Sequence, residues 1–390
     1  MFGGSQAFEE PYFVGRPNIG DRAKLLERIN DMLDRRWLTN NGPMVKEFEE
    51  RIERYTGVKH CVAMNNGTIA LEIAVRAAGL SGEVIVPSFT FVATAHALQW
   101  QGITPVFCDA DPDTHNIDPS KVEALITPKT TGILATHLWG NPCDVDALQA
   151  IADRHGLRLM FDAAHAFGCA HKGTMIGNFG DGEVYSFHAT KFINAFEGGA
   201  FVTNDDELAE RARLMRNFGF AGFDHVTEVG TNGKLNEACA AMGLTCLESL
   251  DDIVETNKRN YDQYKRHLED IPGVSLFEYD ASQTHNFQYI ITEIDHDACG
   301  IDRDLVTQVL TSEGVHARRY FKPGCHNMEP YASNMPQAKL WLSQTEVLCE
   351  RVMALPNGTA VDPEDIDRIM GLLRFVMTHG AAITERAQAS

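Results

Sequence analysis

The chain has 390 residues, and 34 Lys+Arg against 54 Asp+Glu give it a formal net charge of −20. Its 44% hydrophobic and 23% charged residues are the proportions of an ordinary globular protein, which excludes a disordered or fibrous chain. The acidic field repels duplex nucleic acid and anionic membrane as main partners, and no apolar run approaches the roughly 18 residues of a membrane span.

Residues Met1–Tyr12 lack a basic start followed by an apolar run, so a cytoplasmic protein is expected. Residues 1–20 read as an N-terminal extension, 21–250 as a large domain and 251–390 as a smaller one. Nine scattered cysteines show no paired metal-type spacing and read as reduced core thiols, with no metal site expected. In the large domain, Asn65-Asn66-Gly67-Thr68 leads into the apolar helical stretch Ile69–Val75. Free amides and a hydroxyl at a helix start suit a phosphate, although the same residues also serve as ordinary caps.

Short apolar runs then alternate with helical patterns. Glu83–Val86, Thr104–Cys108, Thr131–Thr136, Leu157–Asp162, Glu183–Phe187 and Gly199–Thr203 read as buried strands, and Val145–His155 reads as an amphipathic helix. The alternation predicts an α/β fold with a mainly parallel sheet, whose ligands gather at the carboxyl ends of the strands. Three residues stand at such ends. Phe91, in Pro87-Ser88-Phe89-Thr90-Phe91, suits stacking on a planar ring, or plain core. Asp162 suits pairing with a pyridine nitrogen, or capping the turn that follows. Lys191, in Ser186-Phe187-His188-Ala189-Thr190-Lys191, suits a desolvated amine that attacks carbonyls, or a solvated loop lysine. Taken together, these groups point to pyridoxal phosphate.

Beyond about residue 246 the texture changes. Leu247–Leu268 reads as a long charged helix ending near Pro272-Gly273, Gln288–Thr292 as a strand, and Ile301–Ser312 and Asp362–Val376 as helices. That pattern predicts a smaller C-terminal α+β domain.

The segments around Asn65–Thr68, Pro87–Phe91, Phe161–Ala166, Ser186–Lys191 with Glu197-Gly198-Gly199, and Gly230–Lys234 resemble those of the DegT/DnrJ/EryC1/StrS sugar aminotransferases. These belong to the fold type I, aspartate-aminotransferase-like group of pyridoxal-phosphate enzymes. Arg16–Gly20, Arg36–Pro43 and Phe321–His326 resemble the branch that makes dTDP-4-amino-4,6-dideoxy-D-glucose from dTDP-4-keto-6-deoxy-D-glucose. The resemblance implies that Lys191 carries the cofactor as a Schiff base and later shuttles a proton. It implies that Asp162 pairs with the ring nitrogen, that Gly67, Thr68 and Ser186 hold the phosphate, and that Phe91 stacks on the ring. His165 is placed near the ring hydroxyl, and Asn232 reaches the phosphate of a neighbouring subunit, making a homodimer with shared sites.

L-glutamate is the donor implied by family precedent. Arg318, Tyr320 and His326 are expected near the sugar nucleotide, within a basic set that also includes Arg16, Arg35, Arg36, Lys234, Arg319 and Lys322. Rival readings are amination at C3 of a 3-keto sugar, 4-amination with galacto stereochemistry, and a regulator that kept the fold and cofactor. The retained Lys191 and Asp162 argue against the last, since a scaffold has no use for an electron sink.

Overall fold

The computed structural model describes residues 3–389. After an N-terminal strap, helices α1 (Arg22–Arg35) and α2 (Pro43–Thr56) precede strand β1 (His60–Met64). α2 starts with Pro43 in its first turn and lacks a side-chain cap from Gly42. Its first amides are met instead by buried Glu237, which accepts from Met44 N (2.9 Å) and Val45 N (3.0 Å). Then follow α3 (Gly67–Ala77), β2 (Glu83–Pro87), α4 (Ala93–Gln99), β3 (Thr104–Cys108), β4 (Thr130–Thr136), α5 (Val145–His155), β5 (Arg158–Asp162), β6 (Gly182–Ser186), β7 (Gly199–Thr203), α6 (Asp206–Arg216) and α7 (Glu237–Glu248).

The seven strands form one sheet in the order β1-β7-β6-β5-β4-β2-β3. Adjacent pairs from β6 to β3 are parallel, and β7 runs antiparallel to both β6 and β1. The expected mainly parallel sheet is present, with β7 reversed. Its register sets Thr136 of β4 beside Asp162 of β5, and Asp162 beside Val184 of β6. β4 and β5 thus end side by side, and β6 runs two residues further, to Ser186. The strands are almost wholly apolar along their length because helices cover both faces of the sheet.

The expected long helix starts three residues later than its pattern suggests: α7 runs to Glu248, Ser249 caps both helices, and α8 covers Leu250–Leu268. Beyond it lie β8 (Val274–Leu276), β9 (Ile290–Ile294), α9 (Arg303–Ser312), α10 (Ser343–Arg351), β10 (Val352–Leu355) and α11 (Pro363–Thr378). β9 sits two residues beyond its expected position. The three strands form a separate antiparallel sheet, β8-β9-β10, over a second core that contains Tyr264, Ile290, Val306, Leu355 and Ile369.

The chain crosses between the two cores at other points. Phe8 of the strap is buried in the second core, and Tyr12–Phe13 pairs in parallel with Val315–His316. Conversely, Cys325, Tyr331, Ala338 and Leu342 are buried in the first core beside α3, β1 and β2. Eight of the nine cysteines are buried thiols, and Cys299 is half-buried. No helix among the described residues is long and apolar enough to cross a membrane.

Candidate active site

A cavity of about 340 Å³ opens at the carboxyl ends of β4, β5 and β6. Among its lining are Gly67, Thr68, Phe91, Asp162, His165, Ser186, Lys191, Arg318 and Tyr320. A larger groove of about 990 Å³ lies between α9 and the last helix, Gly380–Gln388, but Asp304 there is paired with Lys322 and Arg319, and Asp302 caps Leu305. The chemistry therefore lies in the smaller space.

Lys191 sits in the turn after β6. Its Nζ donates to Tyr289 Oη at 3.3 Å. Burial pushes the amine down to about 8, although the charge of Asp162 pulls it the other way. Asp162 is 5% exposed. It accepts from Thr94 Oγ1 (2.8 Å) and from the backbone N–H of Ala164 (3.1 Å). Burial raises its carboxyl above the ordinary range despite those donors and the nearby Lys191. A cation placed against it would restore the charge that burial disfavours.

His165 is buried, and burial, reinforced by Lys191, holds its imidazole well below the usual histidine range, so the ring is neutral. Its Nδ1 accepts from Trp139 N at 3.3 Å, which leaves the proton on Nε2. The ring lies stacked with that of Trp139 at 5.7 Å.

The start of α3 faces the end of β6. Asn66 caps the helix through Oδ1, which accepts from Ile69 N (2.8 Å), and Gly67 is the first helical residue. A Cβ on Gly67 would stand 3.1 Å from Ser186 Cβ, and one on Gly199 would stand 2.6 Å from the Asn66 carbonyl. These two glycines keep open a cradle bounded by helix amides and the hydroxyls of Thr68 and Ser186, the donor set an anion needs. Anion cradle, carboxylate, amine and an exposed ring at Phe91 (58%) fit pyridoxal phosphate.

Two expected residues stand apart. His326 is 2% exposed and does not line the cavity, because both ring nitrogens are engaged elsewhere, Nδ1 with Ser88 and Nε2 with Glu346. Asn232 is exposed and also lies outside this chain's own cavity lining. Of the basic set, Arg318 reaches the cavity, with its guanidinium 5.5 Å from the Tyr320 ring. Arg35 is held by Asp31, Arg319 by Asp304, and Lys322 by Asp304 and Glu350; Lys234 lies over the Phe218 ring. Thr94 and Tyr289, partners of Asp162 and Lys191, were not singled out from the sequence. Tyr289 is 98 residues from its lysine, immediately before a strand of the other sheet, so no local spacing signals it.

The sequence profile of the DegT/DnrJ/EryC1/StrS aminotransferase family matches residues 20–374. A dTDP-4-amino-4,6-dideoxy-D-glucose transaminase of Shigella dysenteriae is 36% identical over 369 residues, covering 94% of this chain and 100% of that protein. GDP-perosamine synthase of Caulobacter vibrioides is 35% identical over 353 residues, covering 90% and 94%. Among solved structures, DesI in the presence of its TDP-sugar product superposes with a TM-score of 0.95 at 53% identity, over 99% of this chain and 98% of that one. The likeness runs over nearly the whole length, and the chain belongs to the DegT/DnrJ/EryC1/StrS family of pyridoxal-phosphate-dependent aminotransferases.

Proposed function

We propose that this enzyme transfers the amino group of L-glutamate to C4 of dTDP-4-keto-6-deoxy-D-glucose, giving dTDP-4-amino-4,6-dideoxy-D-glucose. The observation that carries the substrate is the 53% identity to DesI, a protein solved with a TDP-sugar product, over 99% of the chain. The relative named for that aminosugar supports the C4 position. On the same reading the enzyme works in the cytoplasm as a homodimer, with Asn232 serving the partner's cofactor phosphate.

Bound in the cavity, pyridoxal phosphate supplies a carbonyl that takes up an amine and a ring that withdraws electrons from the neighbouring carbon. The chain's own residues do the rest. Gly67, Thr68 and Ser186 fix the anionic end at the start of α3. Asp162 balances positive charge at the ring nitrogen, and Thr94 holds the carboxylate in line. With its value near 8, about a tenth of the Lys191 amine is neutral at pH 7. That fraction suffices for Nζ to attack a carbonyl and, once displaced, to accept and return a proton. Tyr289 Oη accepts from Nζ and so fixes where the amine points. His165 offers Nε2–H to an oxygen on the ring, and its neutrality keeps it a donor without a charge. Tyr320 and Arg318 stand at the cavity on the side of the second core, where an anionic sugar nucleotide enters against the acidic surface.

The deciding experiment incubates the holoenzyme with L-glutamate and dTDP-4-keto-6-deoxy-D-glucose, then identifies the product by mass and proton coupling constants. An equatorial 4-amine supports the reading. An axial amine moves the enzyme to the galacto series, and an amine at C3 rejects the regiochemistry.

A further inference from the structure

Ser88 directly follows β2 and is wholly buried, away from the cavity. Its Oγ accepts from the backbone N–H of His326 at 3.1 Å. The hydroxyl proton is therefore free to point at His326 Nδ1, 2.7 Å away. With Nδ1 accepting, the ring proton sits on Nε2 and donates to Glu346 Oε1 at 2.6 Å, an oxygen that also accepts from Asn327 Nδ2 at 2.8 Å. Burial alone would raise the Glu346 carboxyl, but these donors outweigh it and hold it below the ordinary range, so the acceptor is ionised.

Two further ties join the same segments. Cys325 N donates to Ser88 O at 3.0 Å, and Cys325 Sγ lies 3.4 Å from Thr90 O. Gly324, at φ +85°, lets the turn close on the ring, since a Cβ there would stand 3.0 Å from His326 Cε1. Thr90 and Phe91, further along the same loop, line the cavity. Thr90 Oγ1 lies 3.1 Å from Thr94 Oγ1, whose hydroxyl donates to Asp162. An unbroken bonded path thus runs from Glu346, on α10, to the carboxylate at the end of β5. The Ser88–His326–Glu346 set is not a hydrolytic one, because the serine is wholly buried outside the cavity lining and its oxygen already serves a backbone amide.

We propose that His326 is a positioning residue of the cofactor site: through Ser88 it fixes the loop that presents Thr90 and Phe91 to the ring, and it makes no contact with the sugar nucleotide. The proposal rests on the pyridoxal phosphate reading of the cavity.

Three variants of the full-length holoenzyme test it. His326→Asn keeps an acceptor at the Nδ1 position, His326→Gln keeps a donor at the Nε2 position, and Ser88→Ala removes one oxygen. Cofactor loss on dilution is followed by its visible absorbance, beside the melting temperature and the separate kcat and KM for the sugar nucleotide. Ser88→Ala and His326→Gln are expected to release cofactor about tenfold faster, and His326→Asn within about twofold of wild type, the size of one lost buried hydrogen bond. KM stays unchanged throughout. Wild-type retention of cofactor in Ser88→Ala and His326→Gln, with only a lower melting temperature, overturns the proposal, and so does a rise in KM alone. If the His326 variants fail to fold, Ser88→Ala decides by itself. A wild-type protein whose absorbance band is absent, or keeps the same position in Lys191→Ala, rejects the cofactor reading and this proposal with it.

Discussion

Replacing Lys191 by alanine removes the amine without adding volume. The expected result is no turnover and loss of the absorbance band of the covalently attached cofactor, with a melting temperature close to that of the wild-type apoprotein; turnover at the wild-type rate would sink the mechanism. Asp162→Asn keeps the shape and the Thr94 contact but loses the charge proposed to face the ring nitrogen. A rate loss on the order of a hundredfold is expected from removing one preorganised charge in a buried site, measured under saturating substrates.

The depressed Lys191 value gives a pH test. In the apoprotein, the neutral amine is the reactive form, so the rate of cofactor capture climbs with pH and levels off above about 8. An undisturbed lysine would keep climbing toward 10.5. Stopped-flow absorbance reads the difference. The same shift acts on stability. The folded value lies below the unfolded one, so the unfolded chain binds the extra proton between about 8 and 10.5, and the burden on the apoprotein is full below 8 and relieved as pH rises through that window.

At the scale of elements, the start of α3 carries both a stability role and a binding role, and two substitutions separate them. Asn66→Ala removes the cap on Ile69 N and is expected to cost about 1 kcal/mol in a denaturant titration. Gly67→Ala adds a methyl 3.1 Å from Ser186 Cβ in a helix that tolerates alanine, so cofactor release quickens while the unfolding midpoint moves little.

The strands of the sheet from Glu83 onward were legible because each is a short apolar run buried on both faces, and Asp162 and Lys191 were legible because they close such runs. β1, α1 and α2 carry weaker signals. His60–Met64 is preceded by charged helices whose apolar positions are sparse, and α2 is capped by a glutamate almost two hundred positions further on, 193 from Met44. The break between α7 and α8 at Ser249 has no glycine or proline to announce it. His326 was legible as a polar residue in a family segment but not as a buried strut, since burial is decided by which core its turn joins.

The whole molecule sets the remaining test. If Asn232 serves the neighbouring subunit, mixing two defective proteins, Lys191→Ala and Asn232→Ala, produces heterodimers with one doubly impaired site and one intact site. Activity of the mixture above the sum of its parts is the expected outcome. Strictly additive activity in mixed dimers purified through a different affinity tag on each chain rejects the shared site.

The N-terminal strap adds a constraint of another kind. Asn18 Nδ2 donates to Phe192 O (2.9 Å), its carbonyl accepts from Asn194 Nδ2 (2.8 Å), and its Oδ1 accepts from Thr359 Oγ1 (2.6 Å). Gly15 packs so closely that a Cβ there would come within 2.9 Å of Thr190 Cβ, next to the reactive lysine. One short stretch thus buttons the lysine turn to the C-terminal lobe. Chimeras that exchange only the C-terminal halves of two relatives will mismatch this fastening, and those meant to move sugar preference between enzymes should carry residues 12–20 with the half they fasten.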